Sequence, residues 1–154
     1  MIDKNGDTAV ETRLNQALEL LHFGFRAITA NPDQRLAARG YSRVHHRLLY
    51  FIGRNSGCSN TELLRIMRVS RQYLHRPLKQ LIDDGLVTVS RDPRDGRVKR
   101  LALSAAGERF EQELTGEQRR QMAAVFAQAG TEAEAGWRRV MALLAGEMKP
   151  MDAE

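Results

Sequence analysis

The stretch Asp92-Pro93-Arg94-Asp95-Gly96-Arg97 decides how this chain is to be read. Two short β-prone segments flank it, Leu86-Val87-Thr88-Val89 before and Val98-Lys99-Arg100-Leu101-Ala102-Leu103 after. Proline presets φ and glycine admits unusual backbone angles, so the pair set among aspartate and arginine favours a tight polar turn. The expectation is a β-hairpin with two arginines at its tip. An ordinary solvated hairpin could share this composition. The segment before it separates the two readings.

Ser59-x-x-Glu62 has the capping-box pattern and should open a short helix with Leu63, Leu64 and Ile66 facing in. Met67-Arg68-Val69 is a three-residue turn. Ser70 then caps a longer helix with Leu74, Leu78, Leu81 and Ile82 inside, and Asp84-Gly85-Leu86 ends it with glycine past the cap. Short helix, tight turn, second helix and hairpin together make a winged helix-turn-helix. On the second helix, Gln72, Arg76, Lys79 and Asp83 fall opposite the leucines, with Tyr73 and His75 flanking them. Ser70 and Arg71 sit at its start, where free N–H groups suit a phosphate. Glutamine can bond an adenine edge and arginine a guanine edge. The candidate DNA contacts are therefore Ser70, Arg71, Gln72, Tyr73, His75, Arg76 and Lys79, joined by Arg94 and Arg97 from the hairpin, which can enter a narrow minor groove. Pro77 removes a mid-helix N–H, so either a kink or a shorter helix is open here.

Charge points the same way. The chain nets +5, yet ten basic residues against four aspartates give +6 between Arg65 and Arg100, leaving −1 for everything else. The positive field belongs to one region and suggests double-stranded DNA as partner. The alternative from another class is a winged-helix protein-interaction module without specific DNA binding. Arg76, Lys79, Arg94 and Arg97 argue against it.

Around this lobe the pattern is helical. Thr8-x-x-Glu11 opens a first helix carrying Val10, Leu14, Ala17, Leu18, Leu21, Phe25 and Ile28, with Leu20 and Phe23 on a second flank. Asn31-Pro32 should stop it and start a short helix to Arg39, followed by Gly40. Ser42 caps a helix with Val44, Leu48, Phe51 and Ile52 inside, ended by Asn55-Ser56-Gly57. After the hairpin, Ser104 caps a long helix with Phe110, Leu114, Met122, Val125 and Phe126 as its apolar set. Gly130 ends it. Thr131-x-x-Glu134 is a third capping box, opening a last helix with Trp137, Val140, Met141, Leu144 and Met148 before Pro150. The expected fold is mainly α with a small β-hairpin wing. It forms one domain over 1–154, with the winged lobe at about 43–103 and dimerisation helices at about 8–30 and 104–149. The terminal helices lack partners inside the lobe, and intertwining with a second copy would bury them.

Other chemistry is thin. One cysteine, Cys58, excludes an intrachain disulfide and fits a reducing cytoplasm. No stretch approaches the ~18 apolar residues of a membrane span, and the first residues have no apolar signal core, so a soluble cytoplasmic protein is expected. The only histidines are His22, His45, His46 and His75. His45 and His46 point apart on a helix, so no metal site is expected. Neither a catalytic arrangement nor a glycine-rich phosphate loop is visible, and the reading is a non-enzyme without cofactor. His22, Arg26, Tyr41 and His45 fall near the junction of the dimer and DNA-binding regions. They are candidates for binding an aromatic carboxylate.

With these residues in place, the chain resembles the MarR family of winged-helix transcriptional regulators over nearly its whole length, from about Thr12 to Met148. Asp92-Pro93-Arg94-Asp95-Gly96-Arg97 looks like the family wing pattern D-x-R-D-x-R, and Leu101-Ala102-Leu103-Ser104-Ala105-Ala106-Gly107 looks like the L-x-L-[ST]-x-x-G that follows it. Asp84-Gly85-Leu86-Val87 resembles the family's exit from the recognition helix, and Leu63-Leu64 its apolar pair. The resemblance implies a triangular homodimer held by the terminal helices and binding to palindromic operators. It also implies repression, often relieved by a small aromatic or phenolic effector or by thiol oxidation. It implies that Arg94 enters the minor groove and that Asp95 orients a nearby arginine. Pro77 departs from the family's aliphatic residue, and Cys58 lies away from the position of the family's peroxide-sensing cysteine.

Overall fold

Six helices and three short strands follow one another along the chain in a computed structural model that describes residues 6 and 8–146. The first helix, α1, spans Ala9–Ala38. Its capping box forms as expected: Glu11 N–H donates to Thr8 Oγ1 at 3.2 Å and Thr8 N–H donates to Glu11 Oε2 at 2.7 Å.

The expected stop at Asn31-Pro32 is wrong, because α1 runs unbroken through a buried Pro32. Proline at this position lacks the N–H that would bond the Ile28 carbonyl. That carbonyl is taken instead by the side chain of Gln118, whose Nε2 donates to it at 3.0 Å. A tertiary hydrogen bond thus replaces the missing helical one and lets the helix continue.

The next helix, α2, covers Arg43–Arg54, with Ser42 at its N-cap. Leu48, Leu49 and Ile52 are fully buried on its inner face. A two-residue strand, β1 (Cys58–Ser59), precedes α3 (Asn60–Met67), which opens with the expected Ser59–Glu62 capping box. Ile66 faces outward, contrary to expectation, and Met67 takes the buried position. A helix of eight residues whose inner face starts at Leu63 meets the core again four residues on, not three. Met67 therefore belongs to α3, and the turn is tighter than expected. It pivots on Arg68 at φ 54°, the left-handed region usually left to glycine.

α4 (Arg71–Asp83) is continuous through Pro77, so that proline does not shorten it. Leu74, Leu78 and Leu81 form its buried face, as the periodicity indicated. Strands β2 (Val87–Arg91) and β3 (Lys99–Leu103) make the hairpin, antiparallel with Val89 opposite Leu101. The wing has a third strand that the expected two-stranded hairpin lacked. β1 pairs with the far edge of β3, Cys58 opposite Leu101. Two residues carry too little periodicity to announce a strand.

α5 (Ala105–Ala129) and α6 (Thr131–Gly146) complete the described fold. Ser104 fixes the start of α5 by three bonds. Its N–H donates to the Leu86 carbonyl at 3.0 Å, its Oγ donates to the Gly85 carbonyl at 2.6 Å, and it accepts from Gly107 N–H at 3.0 Å. The backbone approaches so closely that a Cβ on Gly107 would lie 2.0 Å from the Leu86 oxygen. This contact explains the glycine of the L-x-L-[ST]-x-x-G pattern.

The expected Thr131–Glu134 capping box does not form. Thr131 is already helical, and Gly130 at φ 95° both closes α5 and supplies the carbonyl bonded by Glu134 N–H. Met148 and Pro150, expected in and after the last helix, lie outside the described residues.

One core joins Leu36, Tyr41, the inner faces of α2, α3 and α4, the base of the wing, and Phe110 and Leu114 of α5. No helix among the described residues is long and apolar enough to cross a membrane.

Candidate nucleic-acid interface

The helix α4 presents Arg71, Gln72, His75, Arg76 and Lys79 to solvent, with Tyr73 half-buried. Ser70 is its N-cap and accepts from Tyr73 N–H at 3.4 Å, so this serine serves the helix first. Lys79 is paired with Asp83 at 2.6 Å on the exposed surface, where such a pair is weak and can exchange for a phosphate.

A polar latch holds the other end of α4. Tyr41 hydroxyl donates to Asp84 Oδ2 at 2.6 Å. Burial, and next that bond, push the tyrosine pKa up to about 12, so the hydroxyl keeps its proton. His45 accepts Ser42 N–H on Nδ1 at 2.9 Å, which leaves the proton on Nε2 for Gln80 Oε1 at 2.8 Å.

The wing tip is built on its two aspartates. Asp92 Oδ1 accepts from the N–H groups of Arg94 and Asp95, at 2.7 and 3.2 Å, and wraps the turn around itself. Asp92 Oδ2 holds Arg100 through two bonds of 2.9 and 2.7 Å. Arg100 also reaches Glu62 Oε2 at 3.2 Å, tying the wing to α3. Asp95 accepts from the N–H and Nε of Arg97, both at 3.1 Å. Arg100 and Arg97 hold these carboxylates below the usual range, so both stay ionised. Arg94 is exposed and has no ion pair among the described residues. Arg97 remains exposed but is shared with Asp95.

Helix and wing wall one cleft of about 520 Å³. Leu74, Leu78 and Leu101 form its floor, and Arg71, Lys79 and Lys99 stand at its rim.

The four candidate effector residues do not come together. Tyr41 and His45 are neighbours, with rings 5.0 Å apart, and both are committed to α4. His22 and Arg26 are exposed on α1, where His22 packs edge-on against Phe23. A cavity of about 260 Å³ does lie where α1, α2 and α5 meet. Phe25, Arg43, His46, Arg47, Tyr50 and Gln118 line it. Arg43, His46, Arg47 and Tyr50 recur at i, i+3, i+4 and i+7 on α2, a polar stripe that sequence reasoning could have read and did not. His46 Nε2 meets Thr115 Oγ1 at 3.0 Å, and burial lowers the histidine pKa against the opposing pull of Glu111. Cys58 is buried, and burial with the nearby Glu62 raises its thiol pKa, which disfavours the reactive thiolate.

Comparison with known proteins agrees with this geometry. A model described as MarR family matches residues 39–98. The HTH-type transcriptional regulator PetP of Rhodobacter capsulatus is 40% identical over 131 residues, covering 85% of this chain and 79% of that protein. Among solved structures, Streptococcus pneumoniae FabT in complex with DNA superposes with a TM-score of 0.74 at 16% identity, covering 88% of this chain and 95% of that one. A MarR variant from E. coli complexed with operator DNA gives 0.65 at 14% identity, covering 89% and 99%. These two likenesses speak for the fold. The extent of the likeness to PetP settles the family and bears out a regulator in place of an enzyme: the chain belongs to the MarR family of winged helix-turn-helix transcriptional regulators.

Proposed function

We propose that this protein binds a pseudo-palindromic DNA operator as a homodimer, with α4 in the major groove and Arg94 in the flanking minor groove, and acts as a repressor. The observation that carries this is the arrangement of free cations. Arg71 and Arg76 on α4 and Arg91, Arg94 and Lys99 on the wing are exposed without ion-pair partners among the described residues. They belong to the two elements that wall one cleft. Acidic residues of the wing are consumed internally, so the surface left over is positive. PetP is named as an HTH-type transcriptional regulator, and FabT and MarR have been solved with DNA, which supports the same role here.

The unburied apolar surface supports the dimer. Leu18 is 65% exposed on α1 and Val140 62% on α6, and Val10, Leu14, Leu21, Trp137 and Leu144 are exposed beside them. Two helices that leave such stripes to water need a second surface. An interface above ~2,000 Å² in total is expected, as in obligate dimers. A stable monomer at micromolar concentration in sedimentation would refute this architecture.

DNA contact is tested by Arg94→Ala and Arg76→Ala. Arg94→Ala should weaken operator binding and lower the magnitude of the log K against log[salt] slope by about one charge per subunit. It should cost more on operators with A·T-rich flanks. Arg76→Ala should cost ~1–3 kcal/mol and relax discrimination at one base pair per half-site. Unchanged affinity and slope for Arg94→Ala would remove the wing from the interface.

The cavity at the α1–α2–α5 junction favours a second element, release by a small aromatic anion. Its aromatic walls and the guanidinium of Arg47, which has no ion pair among the described residues, suit such a ligand, while Arg43 there is taken by Asp33. Operator release by salicylate-like acids, lost in His46→Ala, is the expected result. Tight binding without release would make the cavity irrelevant to regulation.

A further inference from the structure

Three arginines lie along the corner between α1 and α2, and two of them are occupied within the fold. Arg39 lies over the Phe110 ring, 4.0 Å from its centroid. Arg43 grips Asp33 through bonds of 3.1, 3.1 and 2.7 Å and covers the Phe25 ring. Arg47 differs. It is exposed, and its guanidinium donates to the Tyr73 hydroxyl on α4 at 3.2 Å. A hydroxyl satisfies one of five guanidinium donors, and Arg47 has no ion pair among the described residues.

The pairing also orients Tyr73. Its oxygen accepts from Arg47, so its own O–H is free to donate outward. Its backbone is fixed by the Ser70 cap. Arginine and tyrosine stand together at a groove of about 510 Å³ between the end of α1, the first turns of α2 and the start of α4. The acid in that groove, Asp33, is already spent on Arg43. Convergent N–H and O–H donors with an unbalanced positive charge match a tetrahedral oxyanion. On a helix that lies in a DNA groove, the oxyanion within reach of the helix flank is a backbone phosphate.

We propose that Arg47 and Tyr73 form a two-donor clamp for one DNA backbone phosphate per subunit, beside the bases that α4 reads. The clamp rests on the DNA-binding reading above and adds Arg47, a residue outside the recognition helix and the wing. Such a contact fixes register and carries no sequence information.

The test uses the full-length protein, its operator and an unrelated duplex, titrated over a range of salt. Arg47→Met keeps the aliphatic stem and removes the charge. It should weaken binding to both duplexes by the same factor and reduce the slope magnitude by about 0.9 per subunit. Tyr73→Phe should weaken binding less and leave the slope unchanged, because it removes a donor and no charge. Should Arg47→Met lower thermal stability, Arg47→Lys decides: it should restore the slope and not the full affinity. An unchanged slope in Arg47→Met, or a loss confined to the operator, would overturn the clamp. Inorganic phosphate bound at the clamp while the operator is also bound would mark a free-anion site apart from the DNA and would overturn it too. Failure of the wild-type protein to bind its operator would sink the DNA reading itself, a result distinct from any of these.

Discussion

Replacing Gly107 by alanine sets two physical effects against each other. Helix propensity favours the change by about 1 kcal/mol. That gain is largely the restriction of the unfolded chain, realised only where the native backbone accepts a side chain. Packing opposes it. The new Cβ would lie 2.0 Å from the Leu86 oxygen and 3.0 Å from its carbonyl carbon, and both are backbone atoms that cannot rotate away. The start of α5 must therefore move by roughly 1 Å to restore ordinary contact, an overpacking strain of about 1–3 kcal/mol. That movement pulls on the Ser104 bonds to Leu86 and Gly85, and losing a cap costs about 1 kcal/mol more. The packing terms exceed the propensity terms, and Gly107→Ala should destabilise the protein by about 1–2 kcal/mol. Gly116→Ala is the control on the same helix, since its nearest new neighbour is the mobile Arg120 guanidinium at 3.7 Å. It should be neutral or slightly stabilising. Urea unfolding at one fixed protein concentration reads both. If Gly107→Ala matched or exceeded wild type, the close approach of α5 to the wing root would be wrong.

Gln118→Leu should cost about 1–3 kcal/mol by leaving the Ile28 carbonyl unsatisfied, and the cost should shrink in a Pro32→Ala background, where a backbone N–H returns. A full cost in both backgrounds, in the same urea assay, would detach the glutamine from the proline. His46 has a pKa lowered by burial, so the unfolded state binds its proton more readily, and stability should fall as pH drops below the unfolded value of 6.5. The difference in urea midpoint between pH 7.5 and pH 5 should be smaller in His46→Gln than in wild type. Leu18→Glu should shift sedimentation toward the monomer mass, because it charges an apolar stripe that is 65% exposed in the single chain.

What the sequence made legible follows from the range of the forces involved. Caps and turns are local, so Thr8, Ser42, Ser59, Ser70 and Ser104 stand at helix starts where their chemistry indicates, and Gly85 follows the end of α4. The leucine stripe of α4 and the polar stripe opposite it follow from periodicity alone. Pro32 misled because the group that rescues its helix, Gln118, is 86 residues away and no local rule finds it. β1 was invisible because its two residues become a strand only when β3 lies beside them. Tyr41 and His45 had the right chemistry for a ligand but are held by Asp84 and Gln80, partners set by tertiary packing. The wing aspartates were legible as turn formers. The direction of Asp92 toward Arg100 was not, since that bond depends on strand register.

The third strand of the wing and the Arg100 crosslink turn helix and hairpin into the two jaws of a caliper. Pairing with β1 anchors β3 to the loop before α3, and Arg100 joins Asp92 in the tip to Glu62 on α3. In the proposed docking, these ties limit how far the wing can swing from α4, and the DNA would adjust to that spacing. A duplex that reaches this width without distortion would then bind at no extra cost, while a stiffer or wider one would have to be deformed first. Sequence preference should therefore extend to base pairs between the two jaws that no side chain touches, where it records the compliance of the DNA and not its hydrogen-bonding edges.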